Sequence, residues 1–133
     1  MTDQASPGNC APPVSRGKRL MLYVHAELKD GEWHDWEEVV NAVWPKVPRG
    51  AAFRKNESER KRLHRKRHGP NSQPARRKMT EAHIRSGANT LLKEAVRSWR
   101  KWIEWDGDKV RLLATPKALA PYIDPKDHLT GST

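Results

Sequence analysis

Apolar residues recur along 80–100 with the spacing of a single helix face. They follow a period of 3.6 residues at Ile84, Ala88, Leu91, Leu92, Ala95 and Trp99. The opposite face is polar and mostly basic, with Arg85, Asn89, Thr90, Lys93, Arg97 and Arg100. The pattern predicts a long amphipathic helix with Thr80 as its N-cap. Ser86-Gly87 is a second candidate start, because glycine inside a helix costs about 1 kcal/mol relative to alanine.

The segment after this helix has the pattern of a β-hairpin. Asp106-Gly107 predicts a two-residue turn, because glycine adopts the positive φ angle of such turns without steric cost. In that register Ile103 lies opposite Val110 on one face of the hairpin. Glu104 lies opposite Lys109 on the other face, as a cross-strand pair of opposite charges. We therefore expect the long helix to run directly into a tight hairpin.

Two shorter helices are predicted upstream. The first, over 18–29, has apolar residues four positions apart at Leu20, Val24 and Leu28. The second, over 35–44, has them at i, i+3, i+4 and i+7, namely Trp36, Val39, Val40 and Val43. We expect the Asp35 side chain to cap the second helix, and Pro45 to end it because proline disfavours helical geometry at the residue before it.

A further helix, over 49–68, is predicted with much less apolar surface. Phe53 is expected to dock its N-terminal end on the core. Beyond Ser58 the sequence ERKRLHRKRH has no apolar face, and like charges one helical turn apart oppose helix formation. We expect this second half to be frayed in the absence of a partner and to be followed by a loop over 69–79.

The chain divides into one domain and two tails. Residues 1–17 are rich in proline, serine and glycine and are expected to be disordered. The domain covers 18–115, and 116–133 forms an extension that is in part disordered and lays Leu119, Tyr122 and Ile123 against the domain. Neither a membrane-spanning run nor a signal peptide is evident, and Cys10 has no partner for an internal disulfide. These features predict a cytoplasmic location.

The positive charge is concentrated in one block. The chain carries a net charge of +10, yet 45–78 alone holds thirteen lysines and arginines against two glutamates, a net of +11. A local block of this kind indicates a polyanionic partner through phosphate neutralisation. The candidate phosphate contacts of this block are Arg54, Lys55, Arg60, Lys61, Arg62, Arg65, Lys66, Arg67, Arg76, Arg77 and Lys78.

The polar face of the long helix offers side chains that suit base recognition. If the helix lies in a major groove, its N-terminal exposed residues reach base edges, which makes Asn89, Thr90 and Lys93 candidate base contacts. Further candidate phosphate contacts are Arg85, Arg97 and Arg100 on the helix and Lys109 and Arg111 on the hairpin. The two aspartates at the hairpin tip would be repelled by phosphate, so a purely structural hairpin is the alternative.

No pattern in the sequence supports catalysis, a metal site or a cofactor. His64 and His68 have an i, i+4 spacing that suits a metal ion, but their neighbours are cationic and no third ligand is close in sequence. The six tryptophans are interpreted as core and hairpin packing, and Trp102 is expected to stack on Arg111 across the hairpin.

The order of helix, helix, helix and hairpin resembles the winged helix-turn-helix superfamily. The similarity is closest over LLKEAVRSWRKWIEWDGDKVRLL, at 91–113, which resembles a recognition helix running into its wing. The segments WHDWEEVVNAVWPKVPRGAAFR, at 33–54, and IRSGANTLLKEAVR, at 84–97, are similar to small helix-turn-helix proteins of actinobacterial phages. The resemblance implies duplex DNA binding, with the exposed face from Ser86 to Arg97 reading the bases, and it thereby adds Ser86 to the candidate base contacts. Here about 35 residues, which hold the basic block, replace the usual short turn before the recognition helix.

The sequence therefore predicts a mainly α, winged helix-turn-helix protein with a small hairpin and a long basic insertion over 45–79 before the recognition helix. We expect it to bind double-stranded DNA and to regulate transcription or another DNA transaction without being an enzyme. Two alternatives stay open: a protein-interaction module whose basic arm binds an acidic host or partner protein, and binding of structured RNA by the same arm. A homodimer is also left open.

Overall fold

The structure, a computed structural model, describes residues 14–130. Within them the chain forms four helices: α1 (Arg16–Leu28), α2 (Trp36–Val43), α3 (Arg49–His68) and α4 (Glu81–Ser98). The three strands β1 (His34–Asp35), β2 (Ile103–Asp106) and β3 (Lys109–Leu112) form an antiparallel sheet with β3 in the centre. The prediction of a mainly α protein with a hairpin is confirmed. The short strand β1, which adds a third strand to the hairpin, was not predicted.

Helix α4 lies at the centre of the hydrophobic core. It packs against α1, α2 and α3 and buries the apolar face that its sequence predicted, including Ile84, Ala88, Leu91, Leu92 and Ala95. The partner side chains come from α1, α2 and the sheet, and include Met21, Val24, Leu28, Val40, Val43, Val110 and Leu112. Burying each large apolar side chain is worth about 1.5–3 kcal/mol, so this packing holds α1, α2 and the hairpin in place.

Gly87 marks the point where α3 and α4 come closest together. A Cβ atom at this position would lie 1.7 Å from the backbone oxygen of Ala52. Helix α4 runs without interruption through Gly87 from its N-cap Thr80, whose Oγ1 accepts a hydrogen bond from the His83 N–H at 3.2 Å. The predicted second start at Ser86-Gly87 is therefore wrong. Glycine is needed there for helix packing and does not mark a helix end.

Helix α3 is continuous to His68, and an extended segment lies along it. This segment, residues 69–79, is called the strap. His64 Nδ1 is 3.0 Å from the Ser72 Oγ of the strap, the Arg60 guanidinium donates to the Ala75 carbonyl, and Arg77 Nε donates to Glu57 Oε1 at 2.8 Å. The fraying expected beyond Ser58 is not what the structure shows, because the strap supplies contacts that the local sequence of α3 lacks.

The hairpin register differs from the predicted one by two residues. Ile103 pairs with Leu112 and Glu104 with Arg111, so the two turn residues are Gly107-Asp108, with φ of 61° at Gly107. Predicted pairs of Ile103 with Val110 and of Glu104 with Lys109 are therefore wrong. Side chains alternate between faces, so a shift of two residues leaves every side chain on its predicted face. For that reason the apolar pattern did not distinguish the two registers.

The start of α2 is attached to the hairpin turn. Asp35 occupies the N-cap position, but its side chain makes no capping hydrogen bond. Instead its carboxylate pairs with Lys109 Nζ at 3.2 Å, and the Trp36 N–H donates to the carbonyl of Asp108 at 2.8 Å. The predicted side-chain cap by Asp35 is therefore wrong, because the hairpin supplies both partners, Asp108 from its turn and Lys109 from the start of β3.

Segments at both ends of the described chain pack on α1. Ser15 caps α1 by accepting a hydrogen bond from the Lys18 N–H at 3.3 Å, so the ordered domain begins earlier than residue 18. Beyond the hairpin, 114–130 follows α1, with Leu119 fully buried and Ile123 packed on the core. Of the segment 1–17, predicted to be disordered, Arg16 and Gly17 belong to α1, so the prediction is wrong there. Residues 1–13 and 131–133 lie outside the described residues.

His25 of α1 ties the C-terminal extension to the core. Its side chain is buried, with Nε2 2.8 Å from Thr115 Oγ1. The pKa of His25 is lowered from 6.5, first by burial and then by the His128 and Lys29 charges, against an opposing effect of Asp127. The folded protein therefore holds His25 neutral at a pH where the unfolded chain would protonate it.

Acidification is expected to destabilise the protein below pH 6.5. When folding lowers the pKa of a histidine, the resulting stabilisation is complete above the pKa of the unfolded state, about 6.5. It is lost as the pH falls toward the lower pKa of the folded state. The free energy of unfolding should fall by at most about 1.4 kcal/mol per pH unit in that window because of His25. Urea unfolding of the wild type and of His25→Gln between pH 7.5 and 5 measures this. Parallel curves for the two proteins would contradict it.

Candidate nucleic-acid interface

Helix α3 presents a basic stripe to solvent. Arg54, Lys61 and Arg65 follow one another at steps of seven and four residues, which is one side of a helix, and all three are exposed. They span about 16 Å of the helix axis at 1.5 Å per residue. The helix can project these charges because most of its apolar residues, including Ala51, Ala52 and Phe53, lie near its start and pack on the core.

The basic block divides into paired and unpaired side chains. Five of its members form ion pairs, which are Arg49 with Glu81, Lys55 with Glu94, Arg60 with Glu57, Arg62 with Glu59 and Arg77 with Glu57. Seven others in α3 and the strap make no ion pair within 14–130, and these are Arg54, Lys61, Arg65, Lys66, Arg67, Arg76 and Lys78. We call these seven the free cations. They are available to a polyanion without breaking any ion pair.

The Glu57 carboxylate connects the middle of α3 to the strap. Its carboxylate accepts from Arg77 Nε at 2.8 Å and from Arg60 at 3.1 Å. Burial raises the pKa of Glu57, but the hydrogen bond and charge of Arg77, together with Arg60, outweigh burial and leave the pKa below its usual range. The carboxylate is therefore ionised at neutral pH, and it fixes Arg60 and Arg77 at the edge of the free cations.

The structure separates the four predicted base contacts of α4 into two pairs. Ser86 and Thr90 face α3 and the strap, where the Thr90 hydroxyl donates to the Ser86 carbonyl at 3.2 Å. Asn89 and Lys93 face the other way, toward the start of α2 and the hairpin turn. The four side chains therefore do not form one continuous reading surface.

Asn89 is held by Trp36, which the sequence predicts only as a core residue. The Trp36 indole N–H donates to Asn89 Oδ1 at 2.7 Å, and the Trp36 ring lies 5.3 Å from the ring of Trp105. The carbonyl of Asn89 is thus engaged, whereas its amide hydrogens remain able to donate. Bidentate pairing with adenine needs both groups, so it would require the bond to Trp36 to be shared. The two residues are 53 positions apart, and no local signal could have revealed the contact.

Carboxylates surround the exposed side of Asn89 and Lys93. The hollow that these two residues line is also lined by Asp35, Glu37, Glu38 and Asp108. A DNA phosphate approaching this side of α4 would meet the carboxylates of Glu38 and Asp108, which are unpaired within the described chain, whereas one approaching the Ser86 and Thr90 side would meet Arg60, Arg67 and Arg77. The potential therefore favours polyanion contact on the α3 side of α4.

Several predicted phosphate contacts outside the basic block are already paired. Arg85 donates to Glu37 at 2.7 Å, Lys109 lies 3.2 Å from Asp35, and Arg111 lies 2.6 Å from Glu104. Exposed pairs of this kind are worth about 0–1 kcal/mol, so phosphate can displace them at small cost. Arg97 and Arg100 are exposed and make no ion pair in the described part of the chain.

Arg111 stacks on a different tryptophan from the predicted one. Its guanidinium lies 4.6 Å from the ring centroid of Trp33, whereas Trp102 packs on Trp99 with ring centroids 5.5 Å apart. The predicted stack of Trp102 on Arg111 is therefore wrong. Strand β1 is the reason, because its pairing with β3 brings the chain before it, including Trp33, beside Arg111.

A cleft of about 540 Å³ lies where α3, the strap and α4 meet. Its basic lining comes from Arg60, His64, Arg67, His68 and Arg77, and α4 contributes Ser86 and Thr90. The apolar lining includes Leu63 and Pro74, and Leu63 is 52% exposed. The cleft thus joins the polar start of α4 to the basic surface of α3.

Among residues 14–130, no group of three or more histidine, cysteine, aspartate or glutamate side chains is placed to hold a metal ion. The side chains of His64 and His68 do meet, with ring centroids 4.5 Å apart, but without a third ligand. Over the same residues, no helix is both long and apolar enough to cross a membrane. Comparisons with protein-family models, with curated proteins and with solved structures found no match to this chain.

Proposed function

We propose that this protein binds double-stranded DNA without catalysing a reaction, and that it regulates transcription or another DNA transaction. The observation that carries the proposal is the set of seven free cations on α3 and the strap. A surface with this density of unpaired positive charge suits a polyanion whose phosphates are regularly spaced. The exposed stripe spans about 16 Å of the continuous helix α3, which matches a duplex better than a compact ligand.

The arrangement of the other elements supports a winged-helix interpretation. The chain order is α1, β1, α2, then α4, β2 and β3, and the sheet order is β1-β3-β2. In this interpretation α4 is the recognition helix, the β2–β3 hairpin is the wing, and the basic insertion over 45–79 consists mainly of α3 and the strap. The insertion would then lie beside the first half of α4, where Ser86 and Thr90 face it.

We further propose a division between phosphate and base contacts. The free cations of α3 and the strap would contact phosphates, which gives affinity for all sequences. Ser86, Asn89, Thr90 and Lys93 of α4 would supply sequence preference. Because Asn89 is hydrogen-bonded to Trp36, Ser86 and Lys93 are the more accessible candidates for base contact. They lie one on each side of the exposed surface of α4.

Titration of random duplex DNA over a range of salt concentrations tests the proposed function. The logarithm of the association constant should fall with the logarithm of salt with a slope of about 0.9 per phosphate contact, so the seven free cations set a steepest slope of about −6. A slope near zero, or no binding at 20 mM salt, would contradict duplex binding through this surface.

A second candidate function is binding of an acidic partner protein by the same basic surface. The observation in its favour is that the hairpin offers DNA no unpaired cation, because Lys109 and Arg111 are both paired with carboxylates. Structured RNA is a third candidate, because a basic arm also suits it. Competition of labelled duplex DNA against polyglutamate and against an RNA hairpin separates the three candidates.

A further inference from the structure

The two adjacent histidines of the cleft are not used by the function proposed above. His64 and His68 lie one turn apart on α3, with ring centroids 4.5 Å apart, and both line the cleft. His64 Nδ1 is 3.0 Å from Ser72 Oγ, and Ser72 Oγ is 2.8 Å from the Gly69 carbonyl. The pair therefore stands between the strap on one side and the open cleft on the other.

The hydrogen bonds of Ser72 determine which nitrogen of His64 carries the hydrogen. A serine hydroxyl has one hydrogen, and the Gly69 carbonyl, which can only accept, takes it. The bond between His64 and Ser72 must therefore be donated by the Nδ1–H of His64. In neutral His64 the other nitrogen, Nε2, is then an acceptor and has no hydrogen-bond partner in the described chain. Only after gaining a proton could Nε2 donate to an anion.

The charged groups around the cleft are predominantly positive. Helix α3 contributes Arg60, Arg67 and Glu59, the strap contributes Arg77, and α4 contributes only the neutral Ser86 and Thr90. Glu59 pairs with Arg62 at 3.0 Å, and the Glu57 carboxylate nearby is shared between Arg60 and Arg77. Both carboxylates are thus compensated, while Arg67 makes no ion pair within 14–130.

This surrounding charge opposes protonation of His64 in the free protein. Partial burial has the largest effect on the pKa of His64, and the charges of His68, Arg60 and Arg67 add to it. Together they lower this pKa from 6.5. An anion in the cleft would reverse the charge effect, because an opposite charge within about 4–6 Å favours the protonated form. The cleft therefore has both the charge to attract an anion and a group that can respond to it.

We propose that the cleft binds one backbone phosphate of the duplex, and that this phosphate draws a proton from solvent onto Nε2 of His64. The phosphate oxygen would accept from Nε2–H and from Arg67. The inference rests on the proposed DNA binding and names one phosphate site within it. Because binding and protonation are linked, each favours the other by the same factor.

The expected result is tighter DNA binding at lower pH. Between the pKa of His64 in the free protein and its higher value in the complex, uptake of one proton changes the association constant by up to tenfold per pH unit. We expect binding of a random duplex, at fixed salt, to be about tenfold tighter at pH 6 than at pH 8. In His64→Gln this dependence on pH should be largely lost. His34→Gln is the control, because His34 pairs with Asp30 away from the cleft.

An NMR titration of the histidine imidazoles gives a readout that does not depend on affinity. With saturating duplex, the pKa of His64 should rise, because a bound phosphate favours the protonated imidazole. An unchanged His64 pKa in a complex that still forms with a steep salt dependence would overturn the cleft inference and leave the proposed function in place. Absence of any complex at low salt and at both pH values would instead contradict the proposed function itself.

Discussion

Replacing Gly87 by alanine is expected to lower the melting temperature of this protein by roughly 4–12 °C. The added methyl group would lie 1.7 Å from the Ala52 oxygen and 2.6 Å from the Ala52 carbonyl carbon. These are backbone atoms of α3 and cannot rotate away, so the helices must separate. Overpacking of this kind costs about 1–3 kcal/mol, and occasionally more, and each kcal/mol corresponds to roughly 4 °C in a domain of this size. Thermal unfolding followed by circular dichroism measures the change.

Gly17 provides a matched control for this substitution. It also lies within a helix, in the first turn of α1, but no atom lies within 4 Å of the Cβ position. Gly17→Ala should therefore raise stability slightly, by about 0.5–1 kcal/mol, through helix propensity alone. The two substitutions are expected to have opposite signs. If Gly87→Ala also raised the melting temperature, the close crossing of α3 on α4 would be wrong.

Neutralising three free cations of α3 should weaken DNA binding roughly 10²- to 10³-fold at 100 mM salt. The variant Lys61→Gln, Arg65→Gln, Lys66→Gln removes three of the proposed phosphate contacts, each of which contributes about one unit to the salt slope. The slope should therefore become shallower by about three. Glutamine has a helix propensity similar to that of lysine and arginine, so α3 should remain intact. Equilibrium binding to a random duplex at several salt concentrations measures both quantities.

The control has the same change in net charge on another part of the surface. Arg16→Gln, Arg19→Gln, Lys117→Gln replaces exposed cations of α1 and the C-terminal extension, and we expect it to change affinity less than threefold. Equal losses in the two triple variants would show that net charge, and not the α3 surface, determines binding.

Lys93→Gln is expected to alter preference among duplex sequences more than overall affinity, because Lys93 lies on α4 beside the acidic hollow.

Local patterns predicted the helices well because helix formation depends on neighbours within a few residues. Helix α3 begins and ends at the predicted residues 49 and 68, and α4 begins after the predicted N-cap Thr80. The apolar period, the N-cap residue and the proline after α2 all act within one or two turns. The position of the hairpin and the face of each of its side chains were predicted correctly. Its register was not, because an alternating pattern is unchanged by a shift of two residues.

The candidate site was predicted only as far as its composition. The basic block identified the residues of the free cations, but not which of them would be free. Glu94 neutralises Lys55, and Glu37 neutralises Arg85, although each pair is separated by more than 35 residues in the chain. The bond between Trp36 and Asn89 and the cleft around His64 depend likewise on contacts between distant segments.

The sequence by itself determined which segments are helical, which faces are apolar and where the positive charge is concentrated, because these properties follow from residue type and short-range spacing. Only the tertiary structure decided that Gly87 lies where α3 crosses α4 and that the strap lies along α3. It also decided that the candidate base contacts of α4 face two surfaces of opposite charge. The physical reason is that each of these features is a contact between segments far apart in the chain. Such contacts arise when the core packs, and no local pattern encodes them.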